Sequence, residues 1–387
     1  MIIIFFVLSF IFSSVSFAEE GVTDTEIHIG IIGPLTGPAA AWGVVLKGAE
    51  FYYRLVNEEG GVHGRKIVCR FFDDSYNPAK TMAGVKQLHE QFGVFAWGVI
   101  IGTSNCLAVK DYIAKRNTPW LSPLTGSEAM TNPPNQNIFS LFINYSAEAK
   151  ILCRYAVKTM NKKRIAIIYQ NDGYGLSGLK GAYEELKKHG MELTAQIPIE
   201  STETKLNEKI FELSKTNPDT VLIWMTPNTG LRLMIIAKKI NFNPQWMGGT
   251  VLSDFPFIYK LSKGLIKGLI TTQLADYRET PRLNKYIEAF KKYGDESQTW
   301  SIMFYGGIGW SEILVEGLKR CGRKLTRERF IKELENLKNF ETLAFPVSFK
   351  PFDPNDPECR RGAKQVYLAE CLDGGERKKL TDWMKED

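Results

Sequence analysis

From residue 25 onward the chain alternates short, nearly continuous apolar stretches with stretches of helical spacing, and it runs through this pattern twice. In the first pass, EIHIGII, RKIVCRFFDD, VFAWGVIIG and PWLSP read as strands. Residues 45–57, 78–92 and 105–117 between them read as helices. In the second, KRIAIIYQ, MELTAQIPI and DTVLIWM are strands and 176–190, 204–217 and 230–241 are helices. Short apolar strands joined through helices predict parallel sheets covered on both faces. The punctuation agrees: Gly60-Gly61 stops the first helix, Asn77-Pro78 opens the next, and Gly190 sits at a helix C-terminus. Further helices are expected at 281–293, 301–320 and 326–337, then an extended 345–352 and a terminal hairpin turning at 373–375.

At 387 residues the chain exceeds one comfortable core, and two α/β lobes are the natural division. The net charge of +6 is scattered, with no basic block interleaved with aromatics, which argues against a nucleic-acid partner. The opening MIIIFFVLSFIFSSVSFA reads as a signal peptide over 1–18, with Ser16 and Ala18 as the small residues of a cleavage site. It lacks the usual basic start, and no Cys follows it for a lipid anchor. A periplasmic location follows.

Six cysteines suit an oxidising compartment. Cys359 and Cys371 flank one short segment and are expected to pair. Cys69 and Cys106, ending or following neighbouring strands, are a second expected disulfide, while Cys153 and Cys321 read as buried thiols. There is no C-x-x-C or H-E-x-x-H, and the histidines at 28, 63, 89 and 189 share no ligand spacing, so neither metal nor cofactor is expected.

The loops after the strands carry the functional signal, because ligands of parallel sheets bind at the strands' carboxyl ends. The first, GPLTGPAAAWG, matches no phosphate-binding pattern. It supplies flexible backbone and one large ring, Trp42, as a flat apolar wall. The third strand ends in IGTSNC, where Thr103 and Ser104 sit at a helix start, able to cap it or to meet a carboxylate with its free amides. LSPLTGSE adds Leu124 and Thr125. The second half adds Tyr174, Thr226, Thr250 and Asp254 on its own strand-end loops. Asp254 also stands where it would cap a helix at FPFIYKLS.

In order and spacing, IHIGIIGPLTGPAAAWG, VNEEGGVHGRKI, DDSYNPAKT, GTSN with LSPLTGSE, and RIAIIYQNDGYG resemble periplasmic solute-binding proteins of the branched-chain amino-acid ABC-transporter family, from about residue 26 to 350. The resemblance implies two Rossmann-like lobes joined by three crossovers near 141–146, 271–277 and 345–351. Lobe 1 would comprise 25–143 plus 275–347 and lobe 2 144–274 plus 348–387. It implies a ring at Trp42, a carboxylate-binding hydroxyl at Thr103, a ligand-facing backbone group at Leu124 and a ring at Tyr174. It also implies a membrane permease as partner of a monomeric, non-enzymatic binder, a sensor delivering its ligand to a receptor being the alternative.

Two departures stand out. Gly126 replaces a common Thr, and Thr226 and Thr250 stand where a Tyr and an acid pairing with the ligand's ammonium are expected. An unpaired buried ammonium costs several kcal/mol, roughly a thousandfold in affinity. Either Asp254 or Asp276 supplies the charge, or the ligand is a carboxylic acid or amide without an α-ammonium. A Ser/His/Asp relay has no histidine near these loops, since His28 lies in a strand and His63 in a far turn.

Overall fold

The computed structural model describes residues 19–37, 39–200, 203–275, 280–295 and 300–385. The expected signal peptide and Asp276 lie outside the described residues.

Two large sheets form, one per lobe, beside one small two-stranded pair. The first holds β1 (Glu26–Gly33), β2 (Lys66–Asp73), β3 (Ala96–Ile101), β4 (Trp120–Leu121), β5 (Pro123–Leu124) and β6 (Ile138–Phe139), in the order β2-β1-β3-β4-β6 with β5 also on β3. All its pairings are parallel. Helices α1 (Val44–Glu58), α2 (Pro78–Phe92) and α3 (Thr103–Lys115) connect the strands. Asn77 caps α2, accepting from the amides of Ala79 and Lys80, with Pro78 at the first helical position.

The chain then passes into the second lobe at α4 (Tyr145–Lys158). There β7 (Ile165–Gln170), β8 (Gln196–Ile199), β9 (Thr220–Trp224), β10 (Gln245–Gly248) and β11 (Ile270–Gln273) run parallel in the order β11-β10-β9-β7-β8. Every residue of β9 is buried, as its unbroken apolar run requires. Helices α5 (Gly173–Lys188), α6 (Leu206–Lys215), α7 (Pro227–Lys239) and α8 (Phe255–Leu261) cover this sheet.

After β11 the chain returns to the first lobe as α9 (Pro281–Tyr293), α10 (Ile302–Cys321), α11 (Arg327–Glu335) and the small pair β12 (Phe340–Glu341) and β13 (Pro346–Val347). It crosses a third time to β14 (Gln365–Cys371), antiparallel to β11, and β15 (Arg377–Lys379) and β16 (Met384–Lys385) pair with β14. The first and third passages lie side by side: Ser140 N–H donates to the Arg360 carbonyl and Gly362 N–H to the Ser140 carbonyl, both at 2.8 Å. Helix α10 crosses α1 at glycines. A Cβ on Gly48 would stand 2.0 Å from the Phe304 carbonyl oxygen, and one on Gly307 2.1 Å from that of Val45. This approach sets the start of α10 beside Trp42, which immediately precedes α1.

The expected disulfides do not form; all six thiols are free. Cys69, on β2, packs against the cluster containing Ile29, Ile31 and Tyr53, whereas Cys106, on α3, belongs to the cluster of Ile32, Val85 and Trp97 on the opposite face of the same sheet. The sheet itself separates them. Cys371 is buried on β14 in the second lobe's core. Cys359 closes a turn in the third passage, where its thiol donates to the Asp353 carbonyl at 3.6 Å.

Candidate functional site

The strand-end loops of both lobes meet in one cleft made of two adjoining cavities. The first, of about 390 Å³, is lined by Trp42, Tyr76, Ile101, Gly102, Thr103, Leu124, Phe142, Tyr145, Tyr174, Thr226 and Val251. The second, of about 420 Å³, shares Trp42 and Phe142 and continues past Thr250, Leu274, Ile302, Met303, Gly306, Trp310 and Phe345.

Two consecutive acids at the end of β2 build the first-lobe side. Asp73 fixes the opening loop: its Oδ1 accepts from the amides of Leu35 at 2.9 Å, Thr36 at 3.3 Å and Ser75 at 2.9 Å, and its Oδ2 from the Thr36 hydroxyl at 2.5 Å. Asp74, fully buried, accepts from the Tyr76 amide at 2.8 Å, the Thr81 hydroxyl at 2.8 Å and the Asn105 side-chain amide at 3.0 Å. It thereby ties the first turn of α3 to the turn carrying Tyr76. A Cβ on Gly102, whose φ is +105°, would stand 2.7 Å from the Tyr76 ring, so the ring's place requires glycine there. Sequence reasoning took DDSYNPAKT as a family marker and missed these roles. The signal available was an Asp pair followed by an Asn-Pro helix start, which marks a hydrogen-bonded turn.

Thr103 does not cap α3; the helix begins at Thr103 itself, with Gly102 before it and no side-chain cap. Its hydroxyl lies 2.8 Å from that of Thr125, and both residues are buried. Thr125 lines neither cavity and instead also accepts the Ser127 amide at 3.1 Å, so it positions Thr103. Ser104 is half-buried and lines neither cavity. Leu124 lines the first cavity, and its carbonyl accepts the Gly102 N–H at 3.3 Å.

Aromatic rings run in series from the first lobe into the second. Trp310 and Phe142 are 6.2 Å apart between centroids, Phe142 and Tyr145 5.7 Å, Tyr145 and Tyr174 4.8 Å, and Tyr174 and Trp224 6.1 Å. Tyr174 follows Asp172, which caps α5 through the Tyr174 and Gly175 amides. Its own hydroxyl is buried without a hydrogen-bond partner, as is Nε1 of Trp310. Thr226 stands at the α7 N-terminus, uses no side-chain cap, and lines the first cavity.

Thr250 lines the second cavity, and an unforeseen acid stands behind it. Glu148 of α4, with no exposed surface, accepts from the Thr250 amide at 2.6 Å, the Thr250 hydroxyl at 2.9 Å and the Thr272 hydroxyl. Burial pushes its carboxyl up to about 7, against the lowering effect of these donors. Asp254, expected as a possible ammonium partner, lines neither of these cavities. It caps α8 through the Phe257 amide at 3.3 Å, and burial raises its carboxyl. The capping role uses Oδ1, while Oδ2 is buried without a hydrogen-bond partner. No charged side chain lines either cavity among the described residues.

A periplasmic binding protein model matches residues 26–376. The chain belongs to the periplasmic binding protein family. It is 24% identical over 332 residues to a Leu/Ile/Val-binding protein homolog of Brucella melitensis, covering 85% of this chain and 88% of that one. Among solved structures it resembles a branched-chain amino-acid ABC transporter protein of Thermus thermophilus with bound valine (TM-score 0.82, 19% identity, covering 93% of this chain and 97% of that one). A fatty-acid ABC transporter substrate-binding protein of Thermomonospora curvata matches as well (TM-score 0.82, 22% identity, 95% and 94% covered). At such identities the two structures speak for the fold alone. Family members are substrate-binding proteins, and no described helix is long and apolar enough to cross a membrane.

Proposed function

We propose that this protein is the extracytoplasmic substrate-binding component of an ABC importer of the branched-chain amino-acid type. It captures a small carboxylate- or amino-acid-like ligand between its lobes and presents the closed form to a permease. Exported through its N-terminal segment, it works in the periplasm and catalyses no reaction.

The observation that carries this reading is the cleft at the strands' carboxyl ends, where Trp42, Thr103 and Tyr174 come together from both lobes. The first amides of α3 and the Thr103 hydroxyl suit a carboxylate, and the rings take the apolar part. The chain passes between the lobes before α4, after β11 and before β14. A hinge there needs few backbone rotations.

The test is mass spectrometry of whatever natively purified protein releases on unfolding. Thermal shifts of the refolded protein with a panel of amino acids, organic acids and amides complete it. A released small molecule that restores the midpoint on re-addition is the expected result. No released molecule and no stabilisation across the panel would remove the reading.

A further inference from the structure

The chemistry of the lining says more about the ligand than the fold does. Resting on the reading above, we infer that the ligand is an elongated carboxylate without an α-ammonium, whose apolar or aromatic tail runs past Trp42 and Phe142 into the chamber walled by α10.

The first argument is charge. The two cavities present no Asp or Glu among the described residues. Of the acids beside the cleft, Glu148 is closed off: the Thr250 amide and the hydroxyls of Thr250 and Thr272 all donate to it, and none of its surface is exposed. Asp254, next to Ser253 in the chain, lies outside both linings, its Oδ1 on the Phe257 amide and its Oδ2 buried. An ammonium in this cleft would lose its water and gain no counter-ion, a penalty of about a hundredfold or more in affinity.

The second argument is which polar groups still need partners. Tyr174 Oη and Trp310 Nε1 are both buried and unpartnered, and their residues line the first and second cavity respectively. The indole N–H can only donate, and the phenol donates readily. The first amides of α3 are donors too. A carboxylate at Thr103 and a carbonyl, ether or hydroxyl oxygen near Trp310 would supply the acceptors that these donors are missing.

The third argument is length. The chamber beyond Trp42 is walled by Leu274, Ile302, Met303, Trp310 and Phe345, apolar except at Thr250, Ser253 and Tyr305. The Tyr305 hydroxyl is already spent on the Leu343 carbonyl. A ligand confined to the first cavity would make no contact with these apolar walls. Filling it adds roughly a fourfold gain in affinity for each buried methylene.

The test uses refolded, ligand-free protein and isothermal titration. One pair is leucine against 4-methyl-2-oxopentanoate, which differ at the amino group alone. The other series is phenylacetate, 3-phenylpropanoate and 4-phenylbutanoate. Expected are a preference of at least a hundredfold for the oxo-acid over leucine, and affinity rising with tail length. Ala344 also lines this chamber, beside Phe345; the Ala344→Leu variant, which narrows it, should cost the longest acid at least tenfold and leave the oxo-acid within threefold of wild type. Leucine binding as tightly as its oxo-acid, or affinity falling with tail length in the wild type, overturns the inference and leaves the binding-protein reading intact. Failure of every acid and of leucine, together with no released small molecule, overturns both.

Discussion

Glu148 and Thr250 are held together by two hydrogen bonds, from the Thr250 amide at 2.6 Å and its hydroxyl at 2.9 Å, across 102 residues of sequence. With the Thr272 hydroxyl as third donor, this carboxyl joins the start of α4, the loop after β10 and the end of β11. Those are the points where the second lobe meets two of its three passages to the first. Thr250 thus faces the cleft with its hydroxyl proton already committed, able only to accept.

A pH dependence follows. An acid whose folded pKa is raised holds its proton better folded than unfolded. Between its ordinary value of 4.5 and about 7, the folded chain keeps a proton the unfolded chain has lost. The contribution of Glu148 to stability therefore declines as pH rises through that window, by on the order of 3 kcal/mol in total, and is flat above it. In Glu148→Gln this slope is absent. The difference in Tm, wild type minus variant, should fall from pH 4.5 to 7 and then level, as scanning calorimetry at several pH values would record. A difference independent of pH would show that the carboxyl titrates normally.

Trp42 borders both cavities and is 7% exposed. Trp42→Ala removes the wall between carboxylate end and tail chamber, and should weaken ligand binding by two orders of magnitude or more, from about 3 kcal/mol of lost contact. Fluorescence or calorimetric titration measures it. Thr125→Val, which removes the partner of the Thr103 hydroxyl together with the acceptor of the Ser127 amide, should cost about tenfold.

Much of this was legible in the chain. The period of apolar residues fixes β9 and α9, and turn residues fix their ends: the helix expected at 281–293 is α9 to the residue. Trp42, Thr103, Leu124, Tyr174 and Thr226 do gather in one cavity, because each follows a parallel strand and the sheet rule is geometric. What could not be read was anything that depends on contact between remote segments. Glu148 lies inside a helix, four residues beyond its N-cap, and nothing local marks it as the acid behind Thr250. Cys69 and Cys106 looked adjacent because sequence gives strand neighbourhood but not which face of the sheet each thiol occupies.

The thiols give a direct chemical check. With Cys106, Cys153, Cys321, Cys359 and Cys371 buried and Cys69 half-buried, native protein should react slowly with thiol reagents. Unfolding without reductant should release six reactive thiols, and added dithiothreitol should leave Tm unchanged. Four thiols without reductant and six with it would mark a disulfide.

The last prediction concerns closure. Thr103 at the start of α3 and Gly173 at the start of α5 belong to different lobes, and a Cβ placed on Gly173 would stand 3.0 Å from Thr103 Cγ2. Helix α5 can approach α3 this closely only because residue 173 has no side chain. Its φ lies outside the left-handed region, so the backbone itself accepts substitution. Gly173→Leu should therefore fold normally, with Tm within a few degrees of wild type, yet hold the lobes apart. Small-angle scattering should find that bound ligand compacts the wild type and leaves Gly173→Leu extended. Affinity should fall at least tenfold, mostly through faster dissociation, since the second lobe can no longer seal the ligand from solvent. A variant that compacts like the wild type would mean that the lobes close about some other contact than Thr103 and Gly173.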